Sequence, residues 1–343
     1  FMHKVVYIIP QNKIGGAEDL FNEIDEQKND AIELYKYDLN IDTKNPFVYL
    51  NRLLKFVIFI KINKIDFIIS SLWKSHLISF LACIFSDSKS IPFIHSSSFF
   101  NFFDRFFTSL LLNKSKECLV DSNKSYSFIK NRFKHIAIFN VSTHIKFNNN
   151  FSIEKNYISF DDKPLRFVFF GRISDVKRID KSILLLNELA QKRKRIVFDL
   201  YGPVEVSYTK IKKWKEASNF KINFKDSLDR NQIPILISKY DFYIQLSDIE
   251  GMAMSVIESM SLGIIPLVTK VGEICYYCEH GKNSLCYDKT DSINIISKDV
   301  LEYLSNFDAL NLMSKNAIQT SEKYLDFKID FILKIRKILK SYV

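Results

Sequence analysis

Short apolar runs alternate with longer amphipathic stretches along most of this chain. Val5–Ile9, Phe67–Ser70, Ile91–Ile94, Cys118–Val120 and Ile136–Phe139 are compact and largely apolar, the pattern of strands buried on both faces. Between them, Ala17–Glu26, Val48–Ile62 and Lys124–Arg132 read as helices. Such alternation predicts parallel sheets with crossover helices. Residues 142–163 break the pattern: they are polar, rich in Asn and Ser, and lack clear periodicity. It resumes with strands at Leu165–Phe170, Ile196–Tyr201, Phe242–Gln245 and Ile264–Val268, and a basic amphipathic helix follows over Phe327–Tyr342. The expectation is an α/β protein in two halves, 1–150 and 151–325, with a last helix at 326–343.

A length of 343 residues is enough for two domains with separate cores. The net charge of +10 is spread through both halves. That suits an anionic partner, whether a membrane surface or a nucleotide diphosphate, as readily as a plain solvated lysine-rich surface. Nucleic acid is not expected, because the basic residues are not clustered with interleaved aromatics on a recognition element. The five cysteines, odd in number and irregularly spaced, argue for a reducing cytosol over a disulfide framework. Val5–Ile9 runs straight into Pro10 and a Gly-Gly loop, so it reads as a strand and not as a signal peptide. No apolar run reaches the ~20 residues that span a bilayer. The expected location is cytoplasmic, with a peripheral place on the inner face of the plasma membrane open to it. Two segments bear on that. Phe99, Phe100, Phe102, Phe103, Phe106 and Phe107 precede Leu110–Leu112, with Arg105, Lys114 and Lys116 close by, and Lys55, Lys61 and Lys64 flank Phe56–Ile60. Both read either as interfacial segments or as core helices of a Phe-rich chain.

Only eight glycines are present, and most fall just after a strand or just before a helix. Those positions make the carboxyl-end rim of a parallel sheet, where α/β proteins bind ligands. Gly15-Gly16-Ala17-Glu18 opens a helix and would let backbone N–H groups approach a phosphate. Gly171 ends a strand, and Arg172 and Lys177 follow it as two cations suited to a diphosphate. His95 ends the strand Ile91–Ile94, placed to bond a substrate hydroxyl or carry a proton, although a structural histidine is the plainer reading. Cys275 and Cys278, with His280 and Cys286, lack a familiar zinc spacing and read as buried thiols, so no metal site is expected.

The sharpest signal is the run Ser247–Glu258. It reads as a loop entering a helix, with Gly263 ending that helix and Pro266 opening the next strand. Glu250 and Glu258 would accept hydrogen bonds from hydroxyls, and the helix N-terminus between them would accept an anion. Read as helical throughout, their spacing is ~12 Å. Hydroxyl, anion, hydroxyl is the outline of a nucleotide sugar.

From Ile8 to about Leu285 these motifs together resemble retaining glycosyltransferases of family 4, which have the GT-B fold. Ser247 to Gly272 resembles the family's Glu-x7-Glu signature and the turn after it, here Gly263-Ile-Ile-Pro266. Gly171-Arg172 with Lys177 resembles the diphosphate-binding pair, and Tyr201-Gly202-Pro203 the second-strand turn. Asn140-Val141 resembles the motif before the interdomain linker, Gly15-Gly16 the N-terminal phosphate loop, and His95 the active-site histidine. The resemblance implies two Rossmann-like domains facing a cleft, the first binding acceptor and the second binding nucleotide sugar, with the last helix packing back toward the first. It implies a UDP-sugar of a hexose or N-acetylhexosamine as donor, with no further cofactor and no metal. The acceptor would be an oligosaccharide or lipid-linked glycan of the bacterial surface. Glu258 would hold the ribose, Glu250 a hydroxyl of the donor sugar, and the backbone of Gly251, Met252, Ala253 and Met254 the sugar and phosphate. Arg172 and Lys177 would stabilise the departing diphosphate, and His95 would lie near the anomeric carbon. Arg178 and Asp226 depart from the family by replacing glycines, Val271-Gly272 replaces a Gly-Gly pair, and Asn283-Ser284 an Asn-Gly. The alternative is a catalytically silent GT-B-like binding or membrane-adaptor protein, against which the intact set His95, Arg172, Lys177, Glu250 and Glu258 speaks.

Overall fold

A computed structural model describes residues 2–11, 16–29, 31–41, 45–147, 155–160, 163–192 and 195–342. The chain divides into two compact units, Phe1–Ile145 with Leu325–Val343, and Lys146–Tyr324.

The first unit is built on a seven-stranded sheet of β1 (His3–Ile9), β2 (Gln27–Lys28), β3 (Ile32–Asp38), β4 (Phe67–Ser71), β5 (Lys89–Ile94), β6 (Glu117–Val120) and β7 (Ala137–Asn140). The order is β2-β3-β1-β4-β5-β6-β7, parallel except where β2 runs against β3. Its helices include α1 (Gly16–Glu23), α2 (Pro46–Asn63), α3 (Trp73–Ile84), α4 (Phe102–Lys114) and α5 (Asn123–Arg132). Two-residue periodicity sends the side chains of β1 to opposite faces. Val6 and Ile8 join Leu53, Phe56 and Ile60 of α2 and Ile78 of α3 in one core. Tyr7 on the other face packs against Phe21 of α1 and against Phe331 of the helix Phe327–Leu339.

Some elements differ from the sequence reading. α1 stops at Glu23. The strand expected at Ile136–Phe139 lies at Ala137–Asn140 and is half exposed, because β7 is the edge of the sheet. β3 alternates fully buried Ile32 and Leu34 with half-buried Glu33 and Tyr35, so it lacks the continuous apolar run that marks the central strands. In the proposed linker, the described residues 142–147, 155–160 and 163 form neither helix nor strand.

The second unit carries a parallel sheet of β8 (Leu165–Phe170), β9 (Ile196–Tyr201), β10 (Lys221–Lys225), β11 (Phe242–Gln245), β12 (Ile265–Thr269) and β13 (Leu285–Tyr287), in the order β10-β9-β8-β11-β12-β13. Around it lie α6 (Ile179–Lys192), α7 (Tyr208–Ala217), α8 (Ile233–Ile237), α9 (Met254–Ser261), α10 (Ile274–Tyr277), α11 (Ile293–Leu304) and α12 (Phe307–Glu322). The chain moves outward one way from β8 to β10 and then returns to place β11 on the other side of β8. The loops after β8 and β11 therefore diverge at the carboxyl ends of adjacent strands, the switch point where open α/β sheets bind ligands.

Candidate active site

Close backbone approach shapes the rim of the second sheet. Gly202 has φ +136°, and a Cβ there would sit 2.1 Å from the carbonyl oxygen of Gly171. Gly272 has φ +60°, and its Cβ would lie 2.4 Å from the Glu250 oxygen and 2.5 Å from that of Gly251. Each turn can pass only without a side chain. The Glu273 amide then donates to the Gly251 oxygen at 2.9 Å, fixing the loop after β11 against the turn after β12.

Within this frame Lys177 donates from Nζ to both oxygens of Glu250, at 2.8 and 2.9 Å. Both side chains are largely buried. Gln245, buried at the end of β11, donates from Nε2 to Glu250 Oε1 at 2.8 Å. Its own oxygen accepts from the Tyr243 hydroxyl, which also lies 2.7 Å from Ser255 Oγ in the first turn of α9. Burial pushes the Tyr243 phenol well above its ordinary range and keeps it a donor.

Glu258, on α9 and buried, accepts from Arg230 Nη2 at 2.8 Å. The Arg230 guanidinium also lies 5.7 Å from the Phe147 ring centroid. Between the two glutamates the chain is not helical throughout, since α9 begins only at Met254. The helical rise from there to Glu258 is about 6 Å, not the ~12 Å of a continuous helix. Ala253, with φ +54°, is the N-cap and offers no capping side chain. The Tyr277 hydroxyl holds this loop from below, donating to the Met252 oxygen at 3.0 Å and the Ala253 oxygen at 3.3 Å.

Arg172 is 58% exposed and lies 3.5 Å from Glu205. Arg178 occupies the left-handed region, φ +49°, which explains why a glycine would be at home there. Its guanidinium bonds Asp180 in the first turn of α6 and Asp248 on the loop after β11. Both carboxylates hold its proton more tightly than usual, Asp180 foremost.

The second unit thus gathers Gly171, Arg172, Lys177, Gly202, Glu250, Gly251–Met254 and Glu258 around the ends of β8, β9 and β11 and the start of α9. Gly16 and His95 belong to the first unit. Gly16 begins α1, while Gly15 lies outside the described residues. His95 is held at both ring nitrogens: Nδ1 is 3.4 Å from Asp121 Oδ2, and Nε2 is 2.9 Å from Ser71 Oγ. Ser71 Oγ in turn lies 2.9 Å from the Tyr7 hydroxyl. The cysteines divide, with Cys278 and Cys286 buried and Cys275 exposed. Among the described residues no group of three His, Cys, Asp or Glu side chains is gathered to hold a metal ion.

Gln245, Ser71 and Asp121 escaped the sequence reading, yet they share one signal. Each is a polar residue at, or just after, the carboxyl end of an apolar strand. Arg230 gave no such signal, because its loop has neither periodicity nor a motif.

The comparisons with known proteins bear on the fold. The family described as "Glycosyl transferases group 1" matches residues 150–320. A search of curated proteins returned no match. The Anabaena protein Alr3699/HepE, solved in complex with UDP-glucose, superposes with a TM-score of 0.77 at 16% identity, over 99% of this chain and 100% of that one. A glycosyltransferase from Rickettsia africae gives 0.74 at 16% identity over 98% of each chain. The lipopolysaccharide outer core galactosyltransferase WaaB, in its apo form, gives 0.71 at 15% identity over 98% of this chain and 99% of that one. At such identities the likeness shows the fold. Residues 150–320 thus match the model of the glycosyl transferases group 1 family, in a chain whose two Rossmann-like units have the fold of GT-B glycosyltransferases.

Proposed function

We propose that this chain is a retaining family 4 glycosyltransferase that needs no metal. It would move a hexose or N-acetylhexosamine from a UDP-sugar to a bacterial surface glycan, as part of capsule, lipopolysaccharide or another lipid-linked oligosaccharide. The observation that carries the reading is the Lys177–Glu250 pair at the switch point, beside the uncapped start of α9. The neighbour solved with UDP-glucose supports the donor class.

In this reading Glu258 takes the ribose hydroxyls and Glu250 a hydroxyl of the donor sugar. The amides of Gly251 to Met254 meet the sugar and phosphate. Lys177 is shared between Glu250 and the diphosphate, and exposed Arg172 closes on the same anion. As the sugar leaves, negative charge grows on the diphosphate, and two preorganised cations stabilise that charge more than they stabilise the bound donor. Both carboxylates grip hydroxyls in this scheme and neither acts as a general acid. His95, fixed by Asp121 and Ser71, keeps the role near the anomeric carbon that the family resemblance gives it. The enzyme works in the cytoplasm, peripheral to the inner face of the membrane.

A hydrolysis screen over nucleotide sugars tests this reading. One UDP-sugar should be cleaved slowly without acceptor, with unchanged rates in EDTA, and NMR should show retained anomeric configuration in the transferred product. Rescue by Mn²⁺ after EDTA would remove the metal-independent part. Cleavage of no nucleotide sugar, by a folded protein, would leave the silent-adaptor alternative in its place.

A further inference from the structure

α2 is apolar on two opposite sides. One side, through Leu53, Phe56 and Ile60, is core. The other presents Phe47, Leu50, Leu54, Ile58 and Ile62 to solvent, with Phe47 78% and Ile62 74% exposed. Only Asn51 and Lys61 interrupt that stripe. A helix lying on a sheet needs one apolar side, and a second in open solvent marks a surface built to be covered.

The surface continues. α3 packs between α2 and α4 and ends in exposed Ile84. α4 opens with Phe102, Phe103 and Phe106, of which Phe102 is 73% exposed. These rings are braced: Phe102 stacks on Phe106 at 6.2 Å, and Trp73 on Phe103 at 6.2 Å. The charges on the three helices have one sign where they meet water. Arg52, Lys55, Lys61, Lys74, Arg105 and Lys114 are the basic residues. Asp104, the acid among them, is buried and bonded to Thr108 and the Phe100 amide.

We propose that the outward face of α2, α3 and α4 is a docking surface for an anionic phospholipid bilayer. Rings and aliphatic chains enter the headgroup boundary while the basic border meets the lipid phosphates. A second copy of the chain is the poorer occupant, because pairing would bring two basic faces together. Among the described residues no helix is long and apolar enough to cross a membrane, so the contact lies on the surface. The aromatic ridge also adjoins His95: Phe100, Trp73, Phe99 and Phe128 line an apolar recess that His95 borders. An acceptor carried by a lipid would meet His95 without leaving the membrane surface. This deepens the peripheral placement given above and rests on it, but lipid binding and donor cleavage are read separately, so either can fail alone.

The full chain is floated with vesicles of mixed phosphatidylglycerol and phosphatidylcholine, and with phosphatidylcholine alone. The expected result is flotation with the anionic vesicles only, lost in high salt. Leu54→Ser with Ile58→Ser, and Lys55→Glu with Lys61→Glu, should each lower partitioning by roughly tenfold or more. Their melting curves and their donor cleavage in solution should stay unchanged, because these side chains are exposed. No flotation of the folded wild type, or equal flotation of both variants, overturns the proposal. So does a wild-type dimer that Leu54→Ser with Ile58→Ser converts to monomer, which would assign the face to a second copy.

Discussion

Arg230 reaches from the loop after β10 to place Nη2 2.8 Å from Oε1 of Glu258, closing over a carboxylate that is almost wholly out of water. Removing one partner of such a pair strands the other. Arg230→Ala should therefore destabilise the second unit by about 1–3 kcal/mol, read from the urea midpoint. Adding Glu258→Gln should recover part of that loss, since a neutral amide needs no cation. Strict additivity in the cycle would show the two are uncoupled.

Lys177 and Glu250 make the second buried pair. Lys177→Ala should still fold, at a cost of about 1–3 kcal/mol for the stranded Glu250, and lower turnover by about 10²-fold or more, because the departing diphosphate loses a preorganised cation. Glu258→Ala should also lose sugar transfer, with the larger effect on donor affinity. Wild-type transfer in both variants would refute the site assignment.

The rim glycines give a graded series. Gly171→Ala meets only the Phe169 ring at 3.7 Å, so its cost is the strained φ of +140° alone, about 1–3 kcal/mol. Gly202→Ala adds a collision 2.1 Å from the Gly171 oxygen and should cost more, about 2–5 kcal/mol. Gly272→Ala presses on the Glu250 and Gly251 carbonyls and should impair donor binding as well as stability. Equal melting temperatures for Gly171→Ala and Gly202→Ala would contradict the close approach.

His76 supplies a pH signature in the first unit. It is buried, with Nδ1 3.0 Å from Thr108 Oγ1 and Nε2 3.0 Å from the Ser70 oxygen. Burial pulls its pKa down from 6.5 to about 4. Between those values the unfolded chain binds a proton that the folded chain refuses, so stability falls as pH drops from 6.5 toward 4. The contribution is about 3 kcal/mol. His76→Leu should flatten that part of the stability profile, and an unchanged slope would assign it to other groups.

The sequence carried the central strands because burial on both faces leaves continuous apolar runs, as in β4 and β8. It did not carry β3 or β10, which are partly exposed and alternate apolar with polar residues. Glu250, Glu258 and Lys177 were legible as a motif, and Gly202 and Gly272 as rare residues in a glycine-poor chain. Their pairing was not. Lys177 was expected beside Arg172 on a diphosphate, but in the fold it binds Glu250. Arg230 reaches Glu258 across 28 residues through a loop conformation that no local pattern specifies. Exposure was the other hidden quantity: the basic segment around Phe56–Ile60 divides into buried Phe56 and Ile60 and exposed Ile58, which only the packing of α2 decides.

The helix Phe327–Leu339 completes the first unit from the far end of the sequence. Its Phe331 packs 5.3 Å from Tyr7 and 6.1 Å from Phe93. On the ribosome Tyr7 emerges early, but its cover is not yet made until all of Lys146–Tyr324 has been translated. At ~5–20 residues per second that interval is on the order of tens of seconds. During it Tyr7 and Phe93 lack the cover of Phe331, while the contiguous second unit can already finish folding. The order of synthesis is thus the reverse of the order of completion: the unit begun first is the one finished last.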